Sequence, residues 1–246
     1  MKEDSVMSIN NSLKEVYVSK WDNLTQRLKD ESEYAPTHPL LISLPDEDEY
    51  LKSDLRVMFV GKETNDWEGA FGTRNIDQLL KTYRAFLNKQ GSSKSPFWQY
   101  IRKWQQAIEE EYPNKKVSLV WNNILKIGKA KEIGEPNEQI LQINKESFDV
   151  FHEELKILKP HVVVFWTGHS YDKHLKRYIP NIEFKLHKSF KKKQWLNCSS
   201  TYLPALSFRT YHPGYLNRLQ DRSLSFHSHS PLNELLVQIA ELESSL

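Results

Sequence analysis

Apolar residues recur along this chain with two periods. Leu13, Val16, Trp21, Leu24 and Leu28 follow a loose helical spacing across residues 8–31, which predicts an amphipathic helix packed on the outside of a domain. Short, nearly unbroken apolar runs at 55–60, 117–121, 161–166 and 203–208 predict four core strands. The run His161-Val162-Val163-Val164-Phe165-Trp166 reads as a strand covered on both faces. Helical patterns lie between the strands. One starts near Asn75 with Ile76, Leu79, Leu80, Tyr83 and Leu87. A second opens on Ser95 as N-cap with Pro96 at the first helical position, and buries Phe97, Tyr100, Ile101, Trp104 and Ile108 up to about Glu111. A third, near 146–158, carries Phe148, Phe151, Leu155 and Leu158 and ends before Pro160. Gly168 turns the chain into a short helix at 169–178, and a closing helix holds Leu232, Leu235, Leu236, Ile239 and Leu242. The stretch 182–196 is less regular: a strand at 182–186, then the lysine-rich run from Lys188 to Trp195. Strands alternating with helices predict an α/β domain with a mainly parallel sheet.

The connections refine this picture. Glu33 to Pro39 is a proline-interrupted link, 91–95 a turn and 128–136 a loop. The acidic run Pro45-Asp46-Glu47-Asp48-Glu49 is expected as a solvated face or a helix start. Residues 1–50 hold too few apolar side chains for a core of their own. They are expected as an N-terminal helical extension packed on one domain of residues 51–246.

Composition narrows the function classes. Of 246 residues, 39% are hydrophobic and 27% charged, a globular balance, and seven Trp lift the aromatic share to 12%. A net charge of +2 permits nucleic-acid binding without arguing for it; a local basic patch would matter more. Cys198 is the single cysteine, which rules out an intramolecular disulfide and a four-cysteine iron–sulfur cluster. Met1-Lys2-Glu3-Asp4 lacks the apolar core of a signal peptide, and no apolar run approaches the roughly 20 residues of a membrane span, so a cytoplasmic location is expected.

Several chemistries lack their residues. The nine His are scattered; the one close pair, His227 and His229, sits in a serine-rich loop without a neighbouring carboxylate, and no metal is expected. Neither a phosphate loop nor a dinucleotide glycine motif follows a strand, and no G-x-S-x-G elbow is present. What remains stands just past strand ends, where open α/β sheets bind ligands. Gly61-Lys62-Glu63-Thr64-Asn65 follows the first strand, Asn122-Asn123 the second, and Tyr211-His212-Pro213-Gly214 the fourth. Each residue alone has an ordinary loop explanation. Together Glu63, Asn123 and His212 supply a carboxylate, an amide and an imidazole, with Phe71 as a nearby aromatic.

These segments resemble the motif series of the uracil-DNA glycosylase superfamily, most closely its bacterial iron–sulfur-bearing branch. Val60-Gly61-Lys62-Glu63-Thr64 stands where that branch has its glycine-led first motif, and Gly69-Ala70-Phe71-Gly72 where it has a G-x-P-F-x-G-like loop before a leucine-rich helix, here Gln78-Leu79-Leu80. Asn123-Ile124-Leu125-Lys126 matches N-x-x-K, the run from Pro160 to Gly168 matches a proline–strand–glycine segment, and His212-Pro213-Gly214 with Arg218 matches H-P-S followed by Arg. The resemblance covers about residues 55–220. It implies a three-layer α/β/α fold with a central, mainly parallel four-stranded sheet, and hydrolysis of the N-glycosidic bond of uracil or another modified base flipped out of DNA. By that resemblance Phe71 stacks on the base and Asn123 reads its hydrogen-bonding edge. His212 donates to the departing base and Glu63 orients water. Gly61, Lys62, Thr64, Asn65, Tyr211, Pro213 and Gly214 shape the pocket. Tyr211, Arg218, Lys126 and Lys191-Lys192-Lys193 meet phosphates.

The departures are specific. The cluster cysteines are absent, so no cofactor is expected. Thr64 and Ala70 replace motif prolines, Gly214 replaces the serine of H-P-S, and Lys62 stands where the branch has Glu or Gln. The partner expected is DNA, single- or double-stranded, bound by a monomer. The alternatives are a non-catalytic nucleic-acid- or nucleotide-binding member of the fold, and a nucleoside-type small-molecule hydrolase. A basic strip beside the pocket favours DNA; a closed, neutral or acidic rim favours the small molecule.

Overall fold

A computed structural model describes residues 7–29, 35–89, 94–216 and 230–243. The expected turn at 91–93, Arg218, and the pair His227 and His229 lie outside the described residues. The chain is α/β and divides into two compact units, residues 1–51, 63–88 and 123–158 in the first, and 52–62, 89–122 and 159–246 in the second.

The first unit is helical. Its helices are α1 (Ile9–Lys29), α2 (Glu47–Leu51), most of α3 (Ile76–Lys89), and the pair α5 (Glu138–Ser147) and α6 (Phe151–Leu158). Leu13, Tyr17, Leu24 and Leu28 are the buried face of α1, which packs against α5 and α6. Leu40 to Leu44 are buried as well, so residues 1–51 contribute core to this unit along with 63–88 and 123–158. The single helix expected at 146–158 is two. Asn137 caps α5 by accepting the Ile140 N–H (2.9 Å), and the chain leaves helical geometry at Phe148 (φ −143°) before α6 begins. The acidic run does start a helix: Glu47, Asp48 and Glu49 form the first turn of α2, where the helix dipole favours negative charge.

Charge inside this unit is paired. The Lys126 ammonium meets Glu154 Oε2 at 2.6 Å, and Tyr17 Oη donates to Glu154 Oε1 at 2.7 Å while accepting the Ile42 N–H at 3.0 Å. Lys126 and Glu154 are 1% and 0% exposed. Burial pulls the Lys126 pKa down, opposed by Glu154, and burial together with Glu154 drives the Tyr17 phenol well above its ordinary range.

The second unit carries the sheet: β1 (Leu55–Glu63), β2 (Val117–Leu125), β3 (Val162–Phe165), β4 (Glu183–Leu186), β5 (Trp195–Ser199) and β6 (Leu206–Thr210), in spatial order β2-β1-β3-β6-β5-β4. The unit boundary falls within the last residues of β1 and β2. β1, β3 and β6 are parallel, with Phe59 opposite Val164 and Val164 opposite Phe208. β5 and β4 add antiparallel strands. The sheet is therefore six-stranded and mixed, which corrects the expected four-stranded one. β5, Trp-Leu-Asn-Cys-Ser, was not expected because its polar residues interrupt the apolar run; pairing with β6 supplies what periodicity lacks. Two further corrections concern strand ends: β1 and β2 run on past residues 60 and 121 to Glu63 and Leu125.

One sheet face is aromatic. α4 (Pro96–Glu111), capped by Ser95 with Pro96 at its first position, buries Trp98, Tyr100, Ile101, Trp104 and Ile108. Trp104 stacks on Phe208 and meets Phe59 and Trp166 edge-on, and Trp195 lies flat on Phe208 with ring centroids 3.6 Å apart. Next to Phe208 in β6, and so pointing to the opposite face, Arg209 is fully buried and forked onto Asp172 of α7 (Asp172–Tyr178) at 2.8 and 3.1 Å. α8 (Pro213–Leu216) and α9 (Pro231–Glu243) complete the unit.

A candidate site at the strand ends of the second unit

At the carboxyl ends of β1, β3 and β6, a cleft of about 280 Å³ opens within the second unit. Lys62 comes from β1, Thr167 to Ser170 follow β3, and Tyr211 and His212 follow β6; Lys193 and Tyr215 finish the lining. No carboxylate is among these residues.

His212 is held by its own turn. Its carbonyl accepts the Tyr215 N–H (2.8 Å), and its ring Nδ1 accepts the Gly214 N–H (3.0 Å). Pro213 has no N–H to give, so the donor is the next residue. With Nδ1 accepting, the neutral imidazole carries its proton on Nε2 and is a donor there. Glycine at 214 lets the ring fold this close: a Cβ there would lie 3.1 Å from Nδ1 and 3.3 Å from Cε1. The Phe97 ring flanks the imidazole at 6.2 Å and packs edge-on against Trp166. The Tyr211 and Tyr215 rings lie 4.9 Å apart, and burial raises the Tyr211 pKa.

Two lysines line the same cleft. Lys62 lies over the Tyr171 ring, 4.9 Å from its centroid. Lys193 is exposed, but its backbone is fixed: Arg209 Nη1 donates to the Lys193 carbonyl (3.0 Å) and Thr210 Oγ1 to the Gln194 carbonyl (2.7 Å). Thr167 in the same lining is 0% exposed, and its hydroxyl has no hydrogen-bond partner among the described residues.

The expected site residues divide between the units. Gly61 and Lys62 lie in β1, and Tyr211, His212, Pro213 and Gly214 form the turn after β6, all in the second unit. Glu63 is half-buried at the end of β1, Asn65 is exposed, and Asn123 is 3% exposed; with Thr64 and Phe71 they belong to the first unit. Asn123 is a strand residue of β2 and not part of a loop beyond it. The Phe71 ring is tilted against Trp21 and His38, 5.8 and 5.5 Å away. Thr64 is buried, its hydroxyl 3.0 Å from that of Thr37, and its carbonyl lies where a side chain on Gly128 would have to go, 1.9 Å from the added Cβ. Lys126 is corrected outright: sealed against Glu154, it is not a phosphate contact.

The loop carrying Phe71 is built on unusual backbone. Asp66, Glu68, Gly69 and Gly72 all have positive φ. His38, fully buried, holds the loop by contacting the Glu68 carbonyl through Nδ1 (3.1 Å) and accepting the Thr73 and Arg74 N–H groups at Nε2 (3.2 and 3.0 Å). Burial lowers its pKa.

Thr167, Ser170, Lys193's backbone anchors, and Phe97 beside His212 were not singled out from sequence. The first two lie just past an apolar strand, the signal that identified the other strand ends; Gly168 drew the attention instead. Phe97 carried only a core pattern.

Among the described residues no group of His, Cys, Asp and Glu is arranged to hold a metal ion, and no helix is long and apolar enough to cross a membrane. The sequence matches no model of a known protein family and no curated protein.

Proposed function

We propose that the chain is a glycosylase of the uracil-DNA glycosylase type, hydrolysing the N-glycosidic bond of uracil or another modified base in DNA. The observation that carries the reading is His212, held at a cleft past three parallel strand ends with Nδ1 accepting the Gly214 N–H, which puts the proton of the neutral ring on Nε2. In this reaction the bond from the sugar C1′ to the base nitrogen breaks, and its electron pair goes to the base. Negative charge gathers on a base carbonyl oxygen, and a fixed neutral donor stabilises that charge most in the transition state. Water adds its oxygen to C1′, and the proton balance ends on the released base. The same reading takes the parallel β1, β3 and β6, with helices beside them, as the core of a three-layer glycosylase-type domain to which β5 and β4 are additions.

Lysines and the absence of a carboxylate in the lining favour DNA over a neutral small molecule. The test is a panel of single-stranded oligonucleotides carrying uracil, hypoxanthine or xanthine, incubated with the full chain and treated with alkali to break abasic sites. Cleavage of at least one substrate is expected. His212→Ala should slow it by about 10²-fold or more, the usual cost of a lost transition-state donor. No cleavage across the panel would overturn the reading.

A further inference from the structure

We propose that Lys62 and Lys193, with Thr167 in the lining of the same cleft, form a phosphate-binding subsite. The inference deepens the glycosylase reading and rests on it only for the source of the phosphate. Three observations converge. Both lysines line one cleft, and among the described residues neither is paired with a carboxylate. Lys193 is not a loosely tethered surface lysine at its backbone, because Arg209 and Thr210, both buried, hold the carbonyls at 193 and 194 from below. Thr167 is buried with an unused hydroxyl at the same site, and a buried polar group without a partner is a cost that a ligand oxygen would remove.

The chemistry suits a phosphate oxygen set. Ammonium groups bind phosphate as point charges from either side, and a threonine hydroxyl donates one directed hydrogen bond. The Lys62 ammonium already rests over the Tyr171 ring, which limits the side-chain freedom lost on binding. A DNA strand and a free nucleotide both bring such a phosphate.

The experiment titrates the full chain with three probes: an undamaged, fluorescein-labelled single-stranded oligonucleotide, deoxyuridine 5′-monophosphate, and deoxyuridine without phosphate. Lys62→Gln and Lys193→Gln are each expected to weaken the phosphate-bearing probe by about tenfold, the scale of a charge-assisted hydrogen bond. Each should also lower the slope of log affinity against log salt for the oligonucleotide by about 0.7. Thr167→Val, which keeps shape and removes the hydroxyl, should weaken binding without changing that slope. Lys188→Gln, exposed on the same loop, should change little. Binding of the oligonucleotide identifies strand phosphate as the source; binding of the monophosphate alone identifies a free nucleotide. The proposal is overturned if no phosphate-bearing probe binds, if Lys188→Gln weakens binding as much as Lys193→Gln, or if deoxyuridine binds as tightly as its monophosphate. These probes need no base release, so lysine-dependent binding without cleavage of the base panel would sink the glycosylase reading and leave the subsite standing.

Discussion

Lys126 and Lys193 are both basic residues near strand ends, and both read from sequence as phosphate contacts, yet the fold treats them in opposite ways. Lys126 is sealed in the first unit against Glu154 and Tyr17. Lys193 is held out at a cleft of the second unit by a buried arginine that grips its backbone and leaves its ammonium to solvent. The difference lies in where the carboxylate is. Glu154 neutralises Lys126 on the spot. In the second unit Asp172 is bound by Arg209, so the positive charge of Lys193 stays available. A lysine's chemistry is thus decided by residues far away in the sequence, 28 positions on for Lys126 and 16 for Lys193, the separations to Glu154 and Arg209.

The sharpest way to break the comparison is to remove Glu154. Glu154→Gln strands the Lys126 charge in the interior, and urea denaturation should show a loss of about 3–5 kcal/mol. The double change Lys126→Met with Glu154→Leu should recover much of it. Lys193→Gln, by contrast, should leave the denaturation midpoint within experimental scatter. If Glu154→Gln is no more costly than Lys193→Gln, Lys126 is not a structural charge.

Next in size is Gly128→Ala. The added Cβ would sit 1.9 Å from the Thr64 carbonyl oxygen, a backbone atom that cannot swing away. A loss of about 3 kcal/mol is expected, measured by the same denaturation. The Thr37 hydroxyl accepts the Gly128 N–H at 2.8 Å, so the displaced strand end would carry that bond with it.

A smaller effect comes from pH. His38 must be neutral to accept two N–H groups at Nε2, and burial holds its pKa below its ordinary value of 6.5. The unfolded chain therefore binds the proton first as pH falls. Stability from this group is complete above about 6.5 and is lost as pH drops from there through the lowered folded value. His161 shifts the same way, through burial and Arg56. His38→Gln should thus flatten the fall in urea midpoint only in part; an unchanged profile would show that His38 does not hold the loop at 66–74.

The mildest probe asks whether openness in the second unit is confined to the cleft. Cys198 in β5 is buried beside Arg209, and burial pushes its thiol up to about 12. At mildly alkaline pH the native protein should resist a thiol reagent that modifies the urea-unfolded chain readily. Rapid labelling of the native protein would mean that β5 opens locally.

Much of the fold was legible because its signals are local. Ser95 with Pro96 marked the start of α4, and the continuous run 162–165 marked a strand buried on both faces. The sheet's antiparallel extension was hidden, since β5 earns its place by pairing with β6 and not by its own periodicity. At the site, the turn after β6 could be read directly from His212-Pro213-Gly214. Lys126 could not be read correctly, because nothing near it in sequence announces Glu154. Thr167 looked like a residue preceding a turn; its buried, unused hydroxyl is visible only in the structure.

The central claim is that His212, locked as an Nε2 donor, drives release of a base. The most direct measurement is mass-spectrometric detection of free base from a single-stranded oligonucleotide bearing uracil, hypoxanthine or xanthine, comparing the full chain with His212→Ala. The account predicts free base from at least one substrate, falling by about 10²-fold or more in the variant while oligonucleotide binding persists. Release at the same rate from both proteins would contradict it, as would an intact substrate throughout.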